Sequence, residues 1–302
     1  MKKKGIALVE RQYLFPFVLI TSLFFLWGFA HAILDVLNKH FQELLTITRT
    51  HSAMIQATMY MGYFIMAIPA GLFINRHGYR KGVVLGLLLY GIGSLLFIPG
   101  QYIASFNMFL FSLFVIGCGL TFLETAANPY VTELGARETA ASRLNFAQSF
   151  NGLGCIFAPI LTGLLLFSDE DKGSSGNVAF PYAVMGVIVL LAALAFMRVR
   201  LPEIPHEEEV DSEGHRVGLW AHKLFVFGLV ALFAYEVSEI SINSFFINYV
   251  TEVGWMNARD ASLVLSFGGL GLFMVGRFVG SWIMRRVRAE KMLFWCATGT
   301  VI

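Results

Sequence analysis

Apolar stretches long enough to cross a bilayer, about 20 residues each, recur along the chain at 14–38, 52–75, 80–99, 105–130, 142–167, 179–199, 221–250 and 260–284. A ninth begins near Met292 and stops at Ile302, about half a crossing. This pattern predicts a polytopic, all-α membrane protein, and the half-length ninth stretch predicts a piece of a longer chain. Two carboxylates interrupt the apolar runs. Glu124 lies inside the run from Phe109 to Pro129, and Asp35 lies in the first stretch. A charge at that depth costs about 2.5–3.5 kcal/mol on insertion scales, so such a group faces the bundle interior or a water-filled path. Both acids are therefore candidate substrate or proton sites.

Composition agrees with this reading. Of the 302 residues, 57% are hydrophobic and 14% charged, with a mean hydropathy of +0.67. That is more apolar surface than a soluble domain can hide. A formal net charge of +2 gives no sign of a nucleic-acid partner. Cys118, Cys155 and Cys296 lie far apart in apolar segments without CxxC spacing, so neither a disulfide framework nor a metal site is implied. Met1-Lys-Lys-Lys4 before a span has the outline of a signal peptide. The stretch that follows is too long for one and contains Asp35, which predicts a retained first helix.

The positions of Lys and Arg set the expected orientation. With the N-terminus inside, the inner segments hold 17 of the 22 basic residues, from Lys2 through Lys291. The outer segments hold Lys39, Arg49, Lys172 and Arg259, and Arg277 lies within a span, where it is read as structural. The predicted localisation is a multi-pass protein of the cell's inner (plasma) membrane with a cytoplasmic N-terminus. The expected domains are an N-terminal six-helix bundle (1–199), a cytoplasmic linker (200–220) rich in proline and acidic residues, and the start of a second bundle (221–302). An internal repeat supports this division. Gly71-Leu-Phe-Ile-Asn-Arg76 ends the second span, and Gly280-Ser-Trp-Ile-Met-Arg285 ends the eighth, 209 residues later. Parallel repeats of this kind mark transporters that rock around a midplane site.

Helical spacing groups the polar residues of the spans into stripes. Gly28, His31, Asp35 and Asn38 share one face of the first span, and Gly117, Thr121, Glu124 and Asn128 one face of the fourth. The fifth offers Asn145, Gln148 and Asn151; the second, Gln56, Tyr60 and Tyr63; the seventh, Glu236, Glu239 and Asn243. Turned inward together, these stripes would build a wet, hydrogen-bonding cavity. His31 also reads as a packing histidine. Asn128-Pro129 reads equally as a ligand contact and as a device that satisfies backbone freed by the proline. Gly268-Gly-Leu-Gly271 lies inside a span with no preceding strand, so it is not a phosphate loop. No nucleophile–base pair, zinc motif or nucleotide motif is evident, so neither an enzyme nor an ATP-driven pump is expected.

Four segments resemble the major facilitator superfamily, and within it the fucose/glucose/galactose–proton symporter family. They are Phe25-Leu-Trp-Gly-Phe-Ala-His-Ala-Ile-Leu-Asp35; Gln56 to Gly71 of the second span; Leu123-Glu-Thr-Ala-Ala-Asn-Pro-Tyr130 with Arg143-Leu-Asn-Phe-Ala-Gln-Ser-Phe-Asn151; and Tyr235 to Ser244 with Gly276-Arg-Phe-Val-Gly280. The resemblance implies two pseudo-repeat six-helix bundles, the second incomplete in this chain. It implies secondary active symport of a glucose-, galactose- or fucose-like hexose into the cell by a monomer embedded in the lipid bilayer. It implies proton handling by Asp35, and both sugar binding and coupling by Glu124. Gln148, Asn128, Asn145, Gln56, Tyr60 and Glu239 complete the candidate sugar site, with Trp27, Tyr60, Tyr63 and Tyr235 as candidate aromatic platforms. No bound cofactor is expected beyond the co-transported proton; sodium is the alternative coupling ion, and a transporter-like sensor the alternative function. The chain departs from the family pattern twice. Asn75 fills the usual acidic slot after the second span, which weakens any salt-bridge latch there, and His31-Ala32 stands where the fucose member has paired asparagines, which disfavours fucose itself.

Overall fold

The computed structural model describes residues 7–44, 49–166, 179–199, 202, 218–257, 260, 264, 268–269 and 271–301, with the side chains of 34–44, 49–53, 159–166, 219, 240, 241, 243–245, 247, 248 and 301 outside the described set. The helices are α1 (Leu14–Leu44), α2 (Arg49–His77), α3 (Tyr79–Leu95), its short continuation α4 (Phe97–Tyr102), α5 (Phe106–Glu133), α6 (Ala140–Leu166), α7 (Ala179–Arg198), α8 (Lys223–Glu252), α9 (Gly271–Met284) and α10 (Ala289–Val301). Among the described residues, five segments are long and apolar enough to cross a membrane: Arg11–Ile33, Met54–His77, Tyr79–Tyr102, Phe106–Glu133 and Ala179–Arg198.

The helices follow the predicted spans; α1 and α2 overrun theirs by a few residues, because helical hydrogen bonding continues past the apolar boundary until a cap or turn ends it, while α6 and α7 each stop one residue short. Ser105 opens α5, its hydroxyl oxygen accepting from the Met108 N–H at 3.4 Å. Gly78, with φ of 85°, turns the chain between α2 and α3 in a conformation costly for any residue with a Cβ. Of the predicted 260–284 stretch, α9 covers 271–284; most of its first half lies outside the described residues.

The most buried of the five spans is α5, which packs against α1, α2, α3 and α6; α1 also packs along α6, and α3 along α7. Lipid offers no hydrophobic drive for helices to associate, so close approach of backbones has to supply packing. Small residues permit that approach on two faces of α5. A Cβ on Gly62 of α2 would stand 2.7 Å from the Phe114 carbonyl oxygen, and one on Gly86 of α3 would stand 2.8 Å from that of Gly119. Gly62→Val is therefore expected to force α2 off α5 and cost about 1–3 kcal/mol. A thermal midpoint in detergent equal to that of the unchanged protein would count against this packing. Aromatic side chains fill the buried space among the helices. Phe97 stacks on Tyr182 at 3.7 Å between centroids, and the Tyr90 hydroxyl on α3 lies 3.2 Å from the Leu26 carbonyl of α1 and 2.9 Å from Met185 Sδ of α7.

At one end of the bundle, arginines bind the carbonyls that helix termini leave without partners. Arg143, at the start of α6, is fully buried. Its Nε donates to the Val131 carbonyl at 3.1 Å; its Nη1 donates to the Ala136 carbonyl at 3.0 Å and the Thr139 hydroxyl at 2.6 Å; its Nη2 donates to the Thr132 carbonyl. The guanidinium thus caps the C-terminus of α5, where the helix dipole favours a cation. Gly135 makes room for it: its φ is 145°, and a Cβ there would meet Arg143 Nη1 at 3.0 Å. In the same way Arg80 of α3 donates to the Phe196 carbonyl at 3.1 Å and to that of Met197, at the end of α7. Tyr130 donates to the Pro202 carbonyl at 2.9 Å. Backbone acceptors thus hold this end together near the position where Asn75 replaces the expected acid.

The described chain divides into two compact units, Met1–Ile204 with Gly276–Ile302, and Pro205–Val275. In the first, the Ser142 hydroxyl of α6 meets the Ser281 hydroxyl of α9 at 3.1 Å, and Ser281 donates to the Ser142 carbonyl at 2.8 Å. Phe278 of α9 packs edge-on against Phe146 and Phe150. In the second unit, α8 follows a short 3-10 turn, Leu219–Ala221, and ends at Val253 and Gly254, the latter with φ of 78°.

Candidate functional site

Two helices of the first unit carry the walls of a cavity of about 640 Å³. From α2 come Tyr60, Tyr63, Phe64 and Ala67; from α5 come Thr121, Glu124, Thr125, Asn128 and Pro129. The volume falls within the range of small-molecule sites. Spacing explains the α5 wall, since Thr121, Glu124, Thr125 and Asn128 recur at three- and four-residue intervals and so share one face. Thr121 turns its hydroxyl back to the Gly117 carbonyl at 2.8 Å. This leaves Glu124 and Asn128 as the strongest polar groups on that wall. Pro129 lacks the N–H that would bond the Thr125 carbonyl within the helix. It therefore makes a backbone acceptor available beside the cavity.

Asn128 is held from the neighbouring helix. Gln148 of α6 donates through Nε2 to the Asn128 Oδ1 at 3.1 Å. An asparagine amide has two N–H donors besides that oxygen, so the bond orients the side chain and keeps its donors for the cavity. The proline frees a carbonyl while the asparagine presents donors.

A ring of aromatic groups completes the α2 side. Trp27 of α1 donates through Nε1 to the Tyr63 hydroxyl at 3.0 Å, and His31 Nε2 lies 3.0 Å from the same oxygen. Ring centroids are 6.3 Å apart for His31 and Tyr60 and 6.2 Å for Tyr60 and Tyr63. His31 thus joins a polar cluster, and the packing reading alone does not describe it. Signals for this cluster were present in the spacing: Trp27 and His31 are four residues apart on one helix, Tyr60 and Tyr63 three apart on the next.

The other candidate residues occupy different places. Asp35 lies on α1 among residues whose side chains are outside the described set. Gln56 is half-buried on α2 and does not line this cavity. Asn145 donates through Nδ2 to the Arg277 carbonyl of α9 at 2.8 Å, which ties α6 to α9. With Gln148, Arg277, Glu290 and Cys296 it lines a second cavity of about 520 Å³. Gln148 therefore stands between the two cavities. Glu239 and Tyr235 lie on α8 in the second unit. The capping role of Arg143 has no one-dimensional signal, because its acceptors lie at the end of α5, in the turn after it and at Thr139.

The Major Facilitator Superfamily family model matches residues 17–302. The chain belongs to the major facilitator superfamily. Within it, the chain groups with the fucose and glucose/galactose transporters. It is 34% identical over 299 residues to the glucose/galactose transporter of Brucella abortus, covering 97% of this chain and 72% of that protein. It is 34% identical over 309 residues to the L-fucose-proton symporter of Escherichia coli, covering 94% of this chain and 70% of that one. The crystal structure of a variant of the Escherichia coli fucose:proton symporter superposes with a TM-score of 0.77 at 33% identity, over 94% of this chain and 74% of that chain. This major facilitator protein is thus a multi-pass membrane transporter with the expected all-helical fold, and not an enzyme.

Proposed function

We propose that this transporter carries a hexose into the cell together with a proton, binding the sugar in the cavity between α2 and α5. The observation that carries this reading is the wall itself. One carboxylate (Glu124), one oriented amide (Asn128) and one broadly exposed tyrosine ring (Tyr60) share a cavity of sugar-binding size. Hydroxyl-rich ligands need donors and acceptors at fixed angles and an apolar face for the ring. The names of the similar proteins, a glucose/galactose transporter and an L-fucose-proton symporter, support the substrate class. In this reading the protein is monomeric, with its N-terminus and the Arg80–Arg143 end of the bundle on the cytoplasmic side, where most of the basic residues fall. Arg277, Asn145 and Glu239 lie on or against the segments that answer the first bundle in the repeat.

Proton coupling needs a group that is neutral while the loaded carrier reorients and charged otherwise. Glu124 and Asp35 are the candidates. Asp35→Asn is expected to abolish proton-driven accumulation while sugar exchange survives in part. The check is uptake of labelled D-glucose, D-galactose and L-fucose by the intact transporter with simultaneous external pH recording. Normal accumulation by Asp35→Asn would remove Asp35 from the proton path. Uptake that requires sodium at constant pH would replace the proton with sodium.

A further inference from the structure

Pro129 sits inside α5, which continues through it to Glu133. A proline in a helix has no N–H for the carbonyl four residues earlier, and its ring pushes that carbonyl off the helix axis. For Pro129 that carbonyl belongs to Thr125. Residues four apart share a helix face, and Thr125 and Pro129 both line the cavity that holds Glu124 and Asn128. The displaced acceptor therefore opens toward the cavity. Neighbouring hydroxyls of α5 bond elsewhere: Thr121 donates to the Gly117 carbonyl at 2.8 Å, and Thr132 to the Pro129 carbonyl at 2.6 Å. Position matters, because a freed carbonyl within a span is tolerated where it lines a cavity and not where it meets lipid. Pro69 of α2 makes the contrast: it releases the Ile65 carbonyl, and neither residue lines this cavity.

We propose that the Thr125 carbonyl is a sugar-binding acceptor, and that Pro129 creates it by withholding the helical N–H. The proposal rests on the reading of this cavity as a hexose site. A sugar hydroxyl both donates and accepts, as the hydroxyls of serine and threonine do. Asn128, whose oxygen accepts from Gln148 at 3.1 Å, offers its N–H groups to the cavity, and these satisfy only the oxygen of a hydroxyl. The proton of that hydroxyl needs an acceptor within the same reach. Thr125 lies three residues before Asn128 on the same wall, so its carbonyl completes the pair. One hydroxyl then accepts from Asn128 and donates to Thr125, and each bond polarises the other. Glu124 is thereby left for a second hydroxyl or for the coupled proton. A backbone carbonyl does not titrate, so it remains an acceptor whether that carboxylate is ionised or neutral.

The test compares two replacements of Pro129 in the intact transporter that differ at one N–H. Pro129→Ala restores the donor and closes the Thr125 carbonyl into the helix. Lactic acid, the hydroxy-acid counterpart of alanine, is placed at the same position by nonsense suppression; its ester oxygen stands where the N–H would be and keeps the carbonyl open. Binding of D-glucose, D-galactose and L-fucose is measured by calorimetry in detergent, then repeated with each monodeoxy derivative of the tightest binder. Pro129→Ala is expected to weaken binding about tenfold, one hydrogen bond's worth of affinity, while the ester variant stays within about threefold of the unchanged protein. For the one deoxy sugar that lacks the donating hydroxyl, the unchanged protein and Pro129→Ala should bind alike, the mark of two groups acting on each other. Pro129 is exposed and alanine is the better helix former, so Pro129→Ala should melt no lower than the unchanged protein. The proposal is overturned if Pro129→Ala binds as the unchanged protein does, or if the ester variant binds as weakly as Pro129→Ala. It is overturned equally if the loss persists with every deoxy sugar, as a general distortion of the helix would make it. Failure of every hexose to bind the unchanged protein would sink the sugar reading and this proposal together; hexose binding that ignores position 129 would sink the proposal alone.

Discussion

Glu124→Gln is expected to abolish net sugar accumulation, with initial uptake rates at least tenfold and up to about a hundredfold below those of the unchanged protein. Glutamine preserves the length of the side chain and much of its hydrogen bonding, so the helix and the cavity should remain. What it loses is the ability to alternate between charged and neutral forms, and the charge-assisted bonds a carboxylate makes to hydroxyl donors. Such bonds contribute about 1.5–3 kcal/mol each, which corresponds to that range of rates. Glu124 is placed for this role by its neighbours. It shares the cavity with Tyr60, Tyr63 and Asn128, and an acid inside an apolar span is costly unless it performs work there. Labelled-hexose uptake into energised cells, normalised to the amount of protein in the membrane, decides the matter. Wild-type accumulation by Glu124→Gln would show that the cavity carboxylate is neither the sugar ligand nor the coupling group.

Arg143→Ala is expected to be the most destabilising single change away from the cavity. The guanidinium is fully buried and bonds the C-terminal end of α5, the turn after it at Ala136, and Thr139 just before α6. Its removal leaves the Val131, Thr132 and Ala136 carbonyls short of donors at once. Each unsatisfied buried acceptor costs about 1–3 kcal/mol, so a loss of about 3–5 kcal/mol is expected, comparable to breaking a buried ion pair. Arg143→Lys should recover only part of it, since an ammonium cannot reproduce the planar fork that reaches three segments. Thermal unfolding of the purified protein in detergent measures both. A midpoint for Arg143→Ala within a degree or two of the unchanged protein would show that water replaces the guanidinium at these carbonyls.

Much of the architecture is legible in one dimension, because a bilayer imposes a single rule that sequence can state: apolar runs of about 20 residues become helices. The runs at 14–38, 52–75 and 105–130 correspond to α1, α2 and α5 with only their ends displaced. Helical spacing also places Thr121, Glu124 and Asn128 on one wall. Residue spacing says much less about which helix a face meets. Asn145 and Gln148 share a stripe on α6, yet Gln148 orients Asn128 beside the first cavity while Asn145 bonds the Arg277 carbonyl of α9. Three residues along a helix turn a side chain by only part of a revolution, but neighbouring helices cross at angles, so adjacent members of one stripe meet different partners.

The sequence alone determined the kind of molecule, the approximate limits of its helices, and the two acids that an apolar span would not carry without cause. It did so because hydrophobic length and helical period are local properties. Tertiary structure decided what is shared among helices. It joined Trp27, His31 and Tyr63 at one hydroxyl, seated Arg143 on carbonyls from separate segments, and set Gly62 and Gly86 against the backbone of α5. Those outcomes depend on distances between residues remote in the chain. Hydrogen-bond reach and backbone contact fix such distances, and no periodicity in the sequence encodes them.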